Sequence, residues 1–149
     1  MQYRSTRYKI ITRIVATNSL LEKMKITDTN ACEYCKEREN IEHKYWHCPK
    51  VQSFWNELKT LLVRNEHSSL AEKVNIKFVI LGGDDNSIMN HVISVGIQMI
   101  HSGKELSLTL LMTILKCDMQ SEHYQANIKG QINVFNQKWS TLDFLGRLG

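Results

Sequence analysis

The sequence predicts a mainly α-helical fold. Three observations carry that prediction. Apolar residues recur at helical spacing over most of the chain. One Pro and seven Gly in 149 residues leave little of the punctuation that a sandwich of short strands needs. A chain that is 42% hydrophobic and 23% charged has the make-up of a globular protein of about one domain.

Residues 3–16 read as the first helix, with Arg4, Arg7, Lys9 and Arg13 interleaved among Tyr8, Ile10, Ile11, Ile14 and Val15. "TNS" at 17–19 is a capping cluster for a short second helix with Leu20, Leu21 and Met24 on one face. "TDTN" at 27–30 is loop chemistry. Pro49 stands where a first-turn proline belongs, because it has no amide hydrogen to leave unbonded. Behind it Val51, Phe54, Trp55, Leu58, Leu61 and Leu62 make one apolar stripe, a strong amphipathic helix over about 49–64. "NIKFVILGG" at 75–83 reads as a short strand or an extended connector. Asp84 to Asn86 can cap a helix that runs to about His101 with Ile88, Val92, Val95 and Met99 inward, and "SGKELS" breaks it. Helical spacing resumes with Leu111, Met112, Leu115 and Met119, and continues through Ile128, Ile132, Phe135, Trp139 and Leu142. Gly130 either separates two helices or weakens one. There is no internal repeat. The organisation is basic helices and a cysteine-rich stretch over 1–64, then a helical tail over 65–149, in one continuous compact unit.

The cysteine-rich stretch, "CEYCKERENIEHKYWHC" at 32–48, carries the chemistry. Two cysteines separated by two residues can wrap a metal from one tight turn, and a tetrahedral site needs a second pair from elsewhere. His43 and Cys48 supply it, which gives Cys32, Cys35, His43 and Cys48 as ligands of one zinc. His47 competes for the fourth place, but it adjoins Cys48, and adjacent side chains point different ways. Three thiolates and an imidazole close the site and leave no position for a catalytic water, so the zinc is structural. The alternative is a reduced Cys-x-x-Cys beside two incidental histidines. A redox pair of the thioredoxin kind would want a strand before it and a helix after it, whereas here a loop precedes and the charged "KEREN" follows. The fold class is therefore mainly α, with a small CCHC zinc knuckle between amphipathic helices and a helical tail.

No secretory signal opens the chain and no stretch has the length of a membrane span. Together with clustered cysteines this points to a reducing intracellular compartment, nucleus or cytoplasm. The net charge of +4 is uneven. Residues 1–64 carry 12 Lys/Arg against 7 Asp/Glu, and residues 65–149 carry 7 against 8. A basic end beside a metal site suits a polyanion partner; an accidental asymmetry of a solvated surface is the competing account.

The same residues resemble a known family. Cys32, Tyr34, Cys35, Glu39, Ile41, Glu42, His43, Tyr45, Cys48, Pro49, Phe54 and Trp55 follow the pattern of the zinc-binding region behind the polymerase of non-LTR retrotransposon (LINE-class) reverse transcriptases. "QYRSTRYKIITRIVATNSLLEKMKITD" resembles the helix, "TN" turn and short helix that lead into that region, and Glu122, Phe135 and Trp139 resemble its helical tail. Lys44 departs from the apolar residue usual there. The resemblance is strong over 2–62 and weak afterwards. It implies the carboxy-terminal piece of a mobile-element RNA-directed DNA polymerase, an enzyme that copies its own RNA into DNA at a nicked target. This piece would hold template RNA or single-stranded or nicked DNA and would have no catalytic site of its own. The retroviral nucleocapsid knuckle shares the ligand types, but its second gap is four residues rather than seven.

Candidate nucleic-acid contacts are Arg4, Arg7, Lys9 and Arg13 on the first helix, with Lys44, Trp46 and Lys50 flanking the ligands. Tyr34 and Tyr45 are read as packing residues; Trp46 either stacks on a base or packs. "LGGDDN" at 81–86 mimics a polymerase aspartate pair, but a helix pattern follows at once, so the glycines are read as a turn and Asp84 and Asp85 as a cap. His67, His91, His101 and His123 lack ligand-like neighbours, and Cys117 is read as a small buried residue. The alternative to nucleic-acid binding is a zinc-stapled helical scaffold that docks on a protein partner or a polymerase core.

Overall fold

The computed structural model describes residues 2–83, 87–103 and 105–148, with the side chains of 2–4, 87 and 146–148 outside the description. The chain is mainly helical, as the periodicity predicts. The helices are α1 (Gln2–Ile11), α2 (Asn18–Lys23), α3 (Pro49–Arg64), α4 (Ser68–Ala71), α5 (Ile76–Leu81), α6 (Ser87–His101), α7 (Leu108–Lys129) and α8 (Ile132–Trp139). A π-helical turn spans His43–His47, and a 3₁₀ segment, Ser140–Leu148, closes the described chain. Among the described residues the only strand-like pairing is an isolated bridge between Ala31 and Arg38.

Helix α6 is the hub. The sequence stripe Ile88, Val92, Val95 and Met99 is buried, but so are Met89, Ile93 and Ile97, each at 0% exposure. A helix apolar on nearly every side must be covered on nearly every side. Accordingly α1, α5, α7, α8 and the π turn all pack on it. Helix α3 lays Val51, Phe54, Trp55, Leu58 and Leu62 into the same core. One hydrophobic cluster runs from Ile10 to Leu145.

Helix α1 ends before its sequence pattern does, whereas α3 ends at Arg64 as the spacing predicts. Helix α1 stops at Ile11, short of the 3–16 span predicted, because Arg13 turns left-handed at φ 59°. The amide of Ile14 then donates to the carbonyl of Lys9, and that of Arg13 to Ile10. The same paired bonds close α2 around Lys25 and α3 around Glu66, both with positive φ. These are Schellman caps built without glycine. After the early stop Ile11 and Ile14 face solvent, as Met24 does.

Segment 75–83 is not a strand. Asn75 accepts the amide of Phe78 at 2.9 Å and starts α5, which buries Phe78, Val79 and Ile80. Burial against α1 and α6 overrides the strand preference of a β-branched run. The cap expected from Asp84 to Asn86 lies outside the described residues, and so do Asp84 and Asp85 as an aspartate pair. Gly130 separates α7 from α8. At φ 66° it is a left-handed terminus, and the predicted continuous stripe breaks there: Ile128 is exposed, while Trp139 and Leu142 are buried.

Candidate metal centre

The segment before α3 folds into a compact hairpin. Asn18 anchors it by donating its side-chain amide to the carbonyl of Ala31 at 2.7 Å. The amide of Lys36 returns to the carbonyl of Cys32 at 2.9 Å, and Lys36 takes the left-handed conformation that so tight a turn requires. The amide of Glu39 pairs with the carbonyl of Asn30, which closes the hairpin base. Asn40 then caps the chain's re-entry, accepting the amide of His43 at 2.8 Å. From His43 the backbone widens into a π turn, in which the amide of Cys48 reaches the carbonyl of His43 at 2.9 Å. Such widened turns are frequent at functional sites. Here the extra residue delivers Cys48 to the cysteine turn just as Pro49 starts α3.

The result brings Cys32, Cys35, His43 and Cys48 together. Their donor atoms all lie within 4.8 Å of one another, close enough to hold one metal ion. Cys32 Sγ and Cys48 Sγ are 4.0 Å apart, and Cys35 Sγ is 3.2 Å from His43 Nε2. Cys32, His43 and Cys48 are buried, and Cys35 is half-buried. His47, the rival ligand, is exposed and outside the cluster. Burial raises the Cys48 thiol, and the Cys32 sulfur raises it further, against the opposing pull of the Lys50 and Val51 amides. A bound cation reverses that balance, since thiolates are the ligating form.

Two buried aromatics tie the hairpin to the core. Tyr45 is fully buried, and its hydroxyl meets His101 Nδ1 at 3.0 Å. Burial, with Glu39 adding, pushes the Tyr45 phenol above its ordinary range. Burial first, then Lys44 and Lys9, lowers the His101 imidazole. Trp55 Nε1 donates to the carbonyl of Tyr45 at 2.9 Å.

The seven candidate nucleic-acid contacts scatter in character. Arg4 has its backbone in α1 and its side chain outside the description. Arg7 departs from the polar face: half-buried, it donates to the carbonyl of Phe78 at 3.1 Å and clamps α1 to α5. Burial lowers its guanidinium. Arg13 is paired with Glu42 at 2.5 Å. Lys9 is exposed, and its charge reaches His101 together with that of Lys44. Trp46 stacks on Trp55 with centroids 6.4 Å apart, under Lys59. Lys44 and Lys50 line a cleft beside the hairpin.

Two sequence expectations are corrected. Tyr34 does not pack; it is 63% exposed. Cys117 is exposed rather than buried, since it falls on the outer side of α7. Sequence reasoning missed the setting of His91, whose partners come from other helices: its Nε2 lies 2.7 Å from Asp118, and its Nδ1 accepts from Lys138 at 3.1 Å. Lys138 also reaches Glu122 at 2.8 Å, and Trp139 Nε1 donates to Glu122 at 2.7 Å. This network joins α6, α7 and α8. Its signal in the sequence was only the i, i+4 spacing of Asp118 and Glu122 on one helix face. Among the described residues no helix is long and apolar enough to cross a membrane. Compared with known proteins, the chain matches no family model, no curated protein and no solved structure.

Proposed function

We propose that the chain is a zinc-stapled nucleic-acid-binding region, of the kind that follows the polymerase in non-LTR retrotransposon reverse transcriptases, with no chemistry of its own. Tetrahedral zinc with thiolates at about 2.3 Å and imidazole at about 2.0 Å sets its donors roughly 3.5–3.8 Å apart. The 3.2 and 4.0 Å separations in the cluster bracket that range. Three soft thiolates select zinc over hard cations such as magnesium. With all four positions taken by the protein, the metal holds the hairpin shut and activates no water.

The observation that carries nucleic-acid binding is the placement of cations beside the metal cluster. Lys44 of the π turn shares a cleft with Lys50 of α3, and Lys9 of α1 is exposed to solvent. Arg7 and Arg13 are committed to other partners and contribute less. A salt titration of binding to single-stranded RNA and DNA tests the reading. Each phosphate contact steepens the log-log slope by roughly 0.7 for a single strand. Changing Lys9, Lys44 and Lys50 to Gln flattens it in proportion. An unchanged slope, or no binding at all, removes the proposal.

A second reading rests on a different surface. Tyr8, Ile11 and Ile14 lie 64%, 52% and 57% exposed at the end of α1. Such a patch favours docking on a protein partner such as a polymerase core. In that case the chain binds neither nucleic acid.

A further inference from the structure

The cleft beside the metal hairpin has more character than a cationic surface needs. It measures about 370 Å³, within the range of small-molecule pockets. One wall is the hairpin and the start of α3, with Tyr34, Lys44 and Lys50; the other is the end of α6 and the turn leading to α7, with Ile100, His101 and Leu106. Cys32 and Cys48 also line it, so the cluster that holds the metal shapes the wall.

Tyr34 is the informative residue. It is a large aromatic left 63% exposed, although it sits between two ligands, where packing around the metal would be the ordinary use of a ring. The two-residue spacing of Cys32 and Cys35 fixes its backbone. Lys50 Nζ stands 5.9 Å from its ring centre, a cation on one face of the aromatic. Across the cleft, His101 has already committed Nδ1 to Tyr45, which leaves Nε2 for a ligand. Glu33 and Glu39 line the same space. Glu39 is partly spent on the amide of Asn18 at 2.9 Å. Carboxylates mixed with ammonium groups make a poor track for a continuous phosphate backbone. They suit one planar polar group with a phosphate at one end.

We propose that this cleft seats a single unpaired base of a single-stranded nucleic acid, stacked against Tyr34, with its phosphate between Lys44 and Lys50. The inference rests on the nucleic-acid reading and narrows it from charge neutralisation to a pocket that duplex cannot enter. A base held in a stack is unavailable there. An aromatic platform also accepts every base, so the pocket selects strandedness rather than sequence.

The test uses the full zinc-loaded chain with a short 5-iodouracil-substituted oligonucleotide, offered single-stranded and as a perfect duplex. The single strand is expected to bind more tightly, and photocrosslinks are expected to map to Tyr34. Tyr34→Ala is expected to weaken single-strand binding about fivefold or more, with Tyr34→Phe retaining it. Because Tyr34 is exposed, both variants should keep their zinc, and metal content checks this. Equal or better binding of duplex overturns the pocket. So does a Tyr34→Ala variant of unchanged affinity with crosslinks elsewhere, which leaves nucleic-acid binding itself standing. Absence of binding to either form removes both the pocket and the reading on which it rests.

Discussion

Trp55 Nε1 donates to the carbonyl of Tyr45 across 2.9 Å, and both residues are fully buried. That bond joins the metal hairpin to the helix that anchors it. Trp55→Phe removes the donor, orphans a buried carbonyl and leaves a void. The expected cost is about 2–4 kcal/mol. It should appear as a lower denaturant midpoint and, because the lost bond positions the turn carrying His43, as weaker metal binding in a chelator competition. Destabilisation with unchanged metal affinity would show that the hairpin is held by other contacts.

Metal analysis should find one zinc per chain. His43→Ala is expected to lose it and His47→Ala to keep it, since His43 is buried in the cluster and His47 is exposed. Chelation should strip amide-exchange protection from the hairpin, residues 28–48, and spare α7, whose Leu111 and Leu115 are buried in the core. Uniform loss of protection along the chain would mean that the metal supports the whole fold.

The parts legible in the sequence were those set by local rules. Ligand spacing depends on a few bonds of backbone, so Cys32, Cys35, His43 and Cys48 could be read as one cluster before any fold was known. The α3 stripe was equally plain, because its start is a proline and its period is unbroken. What escaped was set by tertiary contact. The end of α1 carries Arg13 where a glycine would have announced the stop, and the helix closes short of the 3–16 span its pattern suggests. Segment 75–83 has strand-like residues but receives its conformation from Asn75 and from burial on α1 and α6. The partners of His91 lie 27 and 47 residues away on α7 and α8, and no spacing rule links them.

Glu122 gives the fold an acid sensitivity. Burial alone would raise its carboxyl, but the hydrogen bonds from Lys138 and Trp139 outweigh burial and hold it below the ordinary 4.5. A carboxyl lowered by folding contributes stability above its unfolded pKa and loses it as pH falls through the folded value. Glu122→Gln should therefore lower the melting temperature at neutral pH. As pH falls through the lowered value of the folded carboxyl the gap between variant and parent should narrow, because the parent's carboxyl becomes neutral too. A gap that stays constant across this range would assign the cost to packing rather than charge.

The three left-handed caps without glycine are a reservoir of removable strain. A side chain in that conformation costs roughly 1–2 kcal/mol, and glycine escapes the cost while giving back some through its freer unfolded chain. Lys25 and Glu66 are exposed, and their φ values are 59° and 65°. Lys25→Gly and Glu66→Gly are each expected to stabilise the protein by about 0.5–1 kcal/mol, roughly 2–4 °C in melting temperature per kcal/mol for a chain of this size. The sites cap different helices, so the double variant should be near additive. Arg13 is a poorer choice, because its side chain pairs with Glu42. Gly130→Ala is the reciprocal control. It has φ 66° and open space where a Cβ would go, so any loss is conformational rather than steric. If the two glycine substitutions destabilise while Gly130→Ala is neutral, backbone strain does not set the stability of these helix ends.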